Sequence, residues 1–222
     1  MNHINLKISK QGLLLFAYGS VISIISFLFI FALEYSTNNF SFNTSLSWIK
    51  ILQATFYCLF VAIIEEYIFR YLFLKRWLTN KSKPFNKNVL LLGLISSLIF
   101  GFLHLKLDQF PFFQINITLS GISMFYAAFR FRMISIAIGM HFSWNFIQGV
   151  IFPFQGSGSD LESFFIMKNE AMVYPEVSSY IIVSVILEII IITLLSWVNS
   201  SYRAKNDTTN KIFKFGSSSI CI

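Results

Sequence analysis

Charge is scarce in this chain. Only 12% of its residues are Asp, Glu, Lys or Arg, against about 25% in a soluble domain. That shortfall excludes an ordinary water-facing surface and puts the membrane class first. Cysteine is scarcer still: Cys58 lies in an apolar run and Cys221 in the tail. Two such residues exclude a disulfide framework and a cysteine-based metal site. Strand-like alternation is weak, and apolar runs near twenty residues favour helices over a barrel. Histidine is reduced to three residues. His3 lies in the N-terminal segment, whereas His104 and His141 both sit inside apolar runs. The chain carries no internal repeat, soluble domain or low-complexity block.

What is present is hydrophobic surface. Apolar residues make up 55% of the chain, phenylalanine alone occurs 27 times, and the mean hydropathy is +0.67. Candidate spans are Gly12–Phe31, Trp48–Leu74, Val89–Leu105, Phe112–Phe129, Ile134–Phe152 and Ser178–Trp197. The first is too long for a signal-peptide core and lacks a small-residue cleavage site, so it reads as a retained span. With the N-terminus inside, inner segments hold Lys7, Lys10, Lys75, Arg76, Lys81, Lys83, Lys87, Arg130, Arg132, Arg203, Lys205, Lys211 and Lys214. Outer segments hold only Lys50, Lys106 and Lys168. Thirteen cations against three is a strong positive-inside bias, so the net charge of +7 is explained by topology and not by nucleic acid. The expected fold is all-α: a polytopic bundle of about six transmembrane helices with both termini inside. It forms one integral domain over residues 1–222, with 201–222 a flexible cytoplasmic tail. The loop around Gln155–Ser159 is expected to be flexible too. The basic stretch Lys75–Lys87 is a topology signal, with anionic lipid binding secondary.

Three polar clusters interrupt the apolar runs. The first is Glu65-Glu66-Tyr67-Ile68-Phe69-Arg70. Each charge at mid-membrane costs roughly 2.5–3.5 kcal/mol, so such residues rarely persist without use. Glu66 and Arg70 are i and i+4 on a helix and can pair, while Glu65 points about 100° away and stays available. The second cluster is Phe100-Gly101-Phe102-Leu103-His104. The third is His141-Phe142-Ser143-Trp144-Asn145, in which His141 and Asn145 share a helix face that Gln148 extends. If the second helix ends at Leu74, Glu65 and His104 differ in depth by about 10 Å. If it runs on to about Thr79, they come level.

A carboxylate, two imidazoles and a carboxamide suffice for hydrolysis. Glu65 is a candidate base for water, His104 a partner that orients it, and His141 and Asn145 candidate donors to an oxyanion. Ser143 faces away from His141 and Asn145, and Cys58 lies about 10 Å from Glu65 along the axis, so water is the simpler nucleophile. Glu65, His104 and His141 could instead ligate zinc, although no His-Glu-x-x-His helix is present. Glu188, mid-span in Leu187-Glu188-Ile189-Ile190, either faces the cavity or pairs with another polar residue and is given no role.

Glu-Glu-x-x-x-Arg, Phe-x-x-x-His and His-x-x-x-Asn, in this order on successive apolar segments, resemble the CPBP (Abi) family. This is the CAAX-protease and bacteriocin-processing group that includes the Ras-converting CAAX prenyl endopeptidase. Ser120-Gly121-Ile122-Ser123-Met124-Phe125-Tyr126 resembles the small-residue helix that precedes the family's last motif. The resemblance covers about residues 50–150. It departs from the family pattern at Tyr71, where glycine is common, and at Arg130–Ser135, where Thr-Gly-Ser often occurs. It implies an intramembrane glutamic-type endopeptidase without a cofactor. Glu65 and His104 then activate water, His141 and Asn145 form the oxyanion hole, and Glu66 and Arg70 support them. The implied substrate is a membrane-associated peptide or protein. The expected setting is a bacterial plasma membrane, in bacteriocin or signal-peptide maturation or in self-immunity. A non-enzymatic immunity or scaffold protein and a zinc-dependent membrane protease are the alternatives.

Overall fold

The computed structural model describes residues 9–35, 40–79, 87–104, 111–152, 162–167 and 180–216. Helices are α1 (Lys10–Ile30), α2 (Trp48–Glu66), α3 (Phe73–Thr79), α4 (Lys87–Leu103), α5 (Phe112–Phe131), α6 (Ser135–Phe146) and α7 (Ile181–Gly216). Among the described residues, three π-helical stretches interrupt or extend them: Phe31–Tyr35 after α1, Tyr67–Leu72 between α2 and α3, and Ile147–Ile151 after α6. Because the second stretch fuses α2 to α3, the described residues form six helical rods, an all-α membrane bundle. Four are long and apolar enough to cross a membrane: Lys10–Leu33, Trp48–Leu78, Phe112–Phe131 and Ile181–Val198. The rod Lys87–Leu103 is apolar but shorter.

The bundle is built around α6. No residue of α6 is exposed, whereas the helices around it turn large apolar side chains outward, such as Leu13, Phe56, Phe60, Phe102, Ile182 and Leu194. Lipid is as apolar as these side chains, so helix association depends on close packing and on polar contacts between helices. The crossing of α1 and α6 shows the packing. A Cβ on Gly19 would lie 2.0 Å from the Ile136 carbonyl oxygen, and one on Gly139 would lie 2.1 Å from that of Phe16. Only hydrogen fits at either place. Ser20 Oγ donates to the Gly139 carbonyl at 3.3 Å, and Phe16 stacks on Phe142. Leu15, Ile22, Met124, Ala127, Ile136 and Met140 fill the core beside this crossing.

Helix ends follow local chemistry. Ser9 caps α1 by accepting from the Gly12 N–H at 3.0 Å. Ser47 does not cap α2 with its own side chain. Its N–H instead donates to Glu162 Oε1 at 2.6 Å, and Glu162 Oε2 meets Lys50 Nζ at 3.4 Å. At the end of α5, Arg132 adopts the left-handed region (φ 53°), with its guanidinium 3.9 Å over the Trp77 ring.

One feature differs from the sequence-based expectation. An antiparallel ribbon pairs β1 (Phe40–Phe42) with β2 (Phe165–Met167), with Phe40 opposite Met167. Each strand has three residues, too few for alternation to register, and the ribbon is held by Phe31, Phe40, Phe152 and Phe165 ring contacts. The α7 backbone is helical through Gly216. Residues 201–215 contain no proline or glycine to stop it. The Gln155–Ser159 loop lies outside the described residues.

Replacing Gly139 with alanine is expected to destabilise the protein by about 1–3 kcal/mol through overpacking, read as a lower thermal midpoint in detergent. Sidedness is checked with single cysteines in a Cys58→Ser, Cys221→Ser background. The positive-inside bias predicts that Lys50→Cys reacts with an impermeant maleimide on intact cells and Arg76→Cys only after permeabilisation; the reverse pattern refutes the orientation.

Candidate active site

The site begins with the end of α2. Glu66 and Arg70 are both fully buried (0% exposed), and Arg70 Nη1 donates to Glu66 Oε1 at 2.8 Å. The remaining guanidinium contacts reach other helices. Nη2 donates to the Gly121 carbonyl of α5 at 3.1 Å, and the group lies 4.6 Å from the centre of the Phe100 ring of α4. Gly121 permits that approach, since a Cβ there would stand 3.3 Å from Arg70 Nη2. The π-helical stretch that carries Arg70 releases a carbonyl from the usual ladder, and Ser96 Oγ donates to the Phe69 carbonyl at 2.5 Å.

Glu66 has a second partner. His141 Nδ1, on α6, lies 2.9 Å from Glu66 Oε1. A carboxylate only accepts, so His141 carries its proton on Nδ1 and donates it. The other ring nitrogen, Nε2, faces Glu65 Oε2 at 3.6 Å.

His104 is fixed in the same way. It follows the last residue of α4, its N–H donates to the Gly101 carbonyl at 3.2 Å, and its ring Nδ1 donates to the Phe100 carbonyl at 2.8 Å. This closes the helix end with a side chain and, in the neutral ring, leaves Nε2 as a lone pair. That lone pair stands 3.8 Å from Glu65 Oε2. Gln114 Nε2 of α5 donates to the His104 carbonyl at 3.2 Å and steadies the end of the helix. The α2 rod does continue to Thr79, and Glu65 and His104 are level.

Glu65 and His104 are each 24% exposed, unlike the sealed Glu66–Arg70 pair. A cavity of about 40 Å³ is lined by His104, His141, Asn145, Phe100, Trp144 and Glu188 among others; Glu65 is not part of its wall and meets it through the two histidines. The cavity has room for roughly three waters and too little for a peptide chain. Asn145 lines it from the same face of α6 as His141, and Gln148 is buried farther along that face. Ser143 is buried away from the cavity, and Cys58 is buried with a free thiol.

The structure thus brings Glu65, Glu66, Arg70, His104 and His141 into one contact network, with Asn145 on the adjoining wall. The sequence singles out Phe100 only as part of a motif. Its ring is the hub of the site, 4.6 Å from that of His104, 5.8 Å from His141 and 5.2 Å from Phe69. Its place four residues before His104 is the signal that could have found it. The hydrogen bond from His141 to Glu66 had no such signal, because it joins helices far apart in sequence. As for zinc, among the described residues no three His, Cys, Asp or Glu side chains are arranged to hold a metal ion. His104 and His141 instead direct their Nε2 atoms at a single carboxylate oxygen.

A family model described as type II CAAX prenyl endopeptidase Rce1-like matches residues 46–147, the stretch holding all three motifs. No curated protein and no solved structure matches the chain.

Removing one member of a buried pair strands the other charge, at a cost of about 3–5 kcal/mol. Arg70→Met alone is therefore expected to lose that much stability, measured by denaturant titration in mixed micelles. Glu66→Leu/Arg70→Met together should recover most of it while leaving the His141 ring without its acceptor. A double variant as unstable as the single one would refute the pairing argument.

Proposed function

We infer from the match of residues 46–147 to the type II CAAX prenyl endopeptidase Rce1-like model that the protein is a member of that protease family. On that premise we propose that the protein is an intramembrane endopeptidase whose nucleophile is a water activated by Glu65 and His104. The observation that carries this reading is the 3.8 Å separation of Glu65 Oε2 from Nε2 of His104, a residue that lines a cavity with room for roughly three waters. A water bridging Oε2 and Nε2 can donate one hydrogen to each acceptor and present its oxygen lone pair to a carbonyl carbon. As the C–O bond forms, Glu65 takes the proton and the carbonyl electrons move to oxygen.

The oxyanion needs donors. Asn145 supplies its carboxamide N–H. His141 can contribute through Nε2 only as an imidazolium, since Nδ1 is already committed to Glu66, and a charged ring there is flanked by Glu65 and Glu66. Collapse of the intermediate re-forms the carbonyl, breaks the C–N bond and returns the proton from Glu65 to the leaving nitrogen. The products are a carboxylic acid and an amine. Glu66 and Arg70 touch no reacting atom; they hold the ring of His141 and the backbone of α5.

The substrate is a membrane-associated peptide or protein. The bacterial plasma membrane is our proposed setting, with bacteriocin or signal-peptide maturation or self-immunity as the context. The abundance of Asn, Ile, Lys and Phe supports that placement.

Purified protein in proteoliposomes is expected to cleave a lipid-tethered peptide, and Glu65→Gln and His104→Ala should each lower kcat by roughly a hundredfold to ten-thousandfold. Unchanged cleavage by both variants refutes the mechanism. A binding or immunity role without catalysis predicts that Glu65→Gln still complements in cells. Chelator-sensitive activity restored by zinc would transfer the chemistry to a metal.

A further inference from the structure

The cavity wall carries a carboxylate that this mechanism does not use. Glu188 lies on α7, outside the matched residues 46–147, and lines the same 40 Å³ cavity as His104, His141 and Asn145. It is 5% exposed, and Ser123 Oγ of α5 donates to its Oε2. Among the described residues no Lys, Arg or His pairs with it. A carboxylate buried at membrane depth is tolerated when protonated or when a cation reaches it. Trp144 on the same wall provides an aromatic ring, which attracts ammonium and guanidinium groups through its face.

We propose that Glu188 is the anionic anchor of a specificity subsite that takes an ammonium or guanidinium group of the substrate peptide next to the scissile bond. This rests on the endopeptidase reading. It assigns selectivity to a helix that the family match does not include. Ser123 holds the carboxylate toward the cavity, and the cation enters with the peptide and leaves with a product. The competing account makes Glu188 a neutral acid that only ties α7 to α5; it predicts no preference for charge.

The test uses the full-length protein in nanodiscs and lipid-tethered fluorescent peptides in pairs that differ by lysine against norleucine at one position, scanned along the peptide. Binding is measured to the Glu65→Gln protein and to the Glu65→Gln/Glu188→Gln protein. At one position the lysine peptide should bind the first protein about tenfold or more tightly than its norleucine twin, and the second protein should show no preference. N-acetylated and free-amine versions distinguish a basic side chain from an N-terminal amine as the source. Equal affinities for lysine and norleucine at every position, in both versions, overturn the proposal, as does a preference that survives Glu188→Gln. Should the Glu188→Gln variants fail to fold by thermal unfolding, competition on the Glu65→Gln protein decides. There n-butylammonium should displace the preferred peptide and n-butanol should not; equal effects overturn the subsite. Because binding is the readout, the result stands apart from the catalytic assignment, which fails on its own if the Glu65→Gln protein still cleaves.

Discussion

Two opposite charges sealed away from water organise this protein. The Glu66–Arg70 pair cannot be solvated, so each group must find its hydrogen bonds within the bundle. Those bonds connect the helices. Glu66 reaches α6 through His141, and Arg70 reaches α5 through the Gly121 carbonyl and α4 through the Phe100 ring. A pair that spacing alone marks as a helix staple is therefore the meeting point of four helices. The contacts that aim the His141 ring at Glu65 offset part of the pair's desolvation penalty, while Glu66 Oε2 and Arg70 Nε stay buried without a hydrogen-bond partner.

The site divides into a dry half and a wet half. Glu66 and Arg70 lie in the dry half, and Glu65 and His104 at its margin, where water can enter. The histidines belong to both. Each donates from Nδ1 to a fixed acceptor, Glu66 for His141 and the Phe100 carbonyl for His104, and turns Nε2 toward Glu65. Ring orientation and tautomer are thus settled by the Nδ1 acceptors and not by the cavity's contents.

Much of the fold was legible because the bilayer allows so few solutions. Apolar runs near twenty residues implied helices, and the four-residue spacing in Glu66–Arg70 and His141–Asn145 put those side chains on shared faces. The ribbon was not legible, since three-residue strands such as Phe40–Phe42 pair through a register that no periodicity records. The helical course of α7 past Ser200 carries no apolar period to mark it, although polar residues without proline sustain a helix. In the site, residue types and order were readable, but their distances were not. That His141 bonds Glu66 and that Phe100 touches both imidazoles depends on how α4 and α6 pack against α2, which is information carried between helices.

The π-helical stretch Tyr67–Leu72 has a consequence for phase. A π turn spends an additional residue relative to an α-turn, which rotates everything beyond it by roughly 100°. Upstream, the rod answers to electrostatics, with Glu65 and Glu66 set toward two histidines. Downstream, it answers to aromatic packing, with Trp77 stacked on Phe129 and covered by Arg132. One rod therefore serves two angular registers, and neither half constrains the other's periodicity. Any sequence comparison that assumes a single helical wheel from Trp48 to Thr79 will misplace one of them.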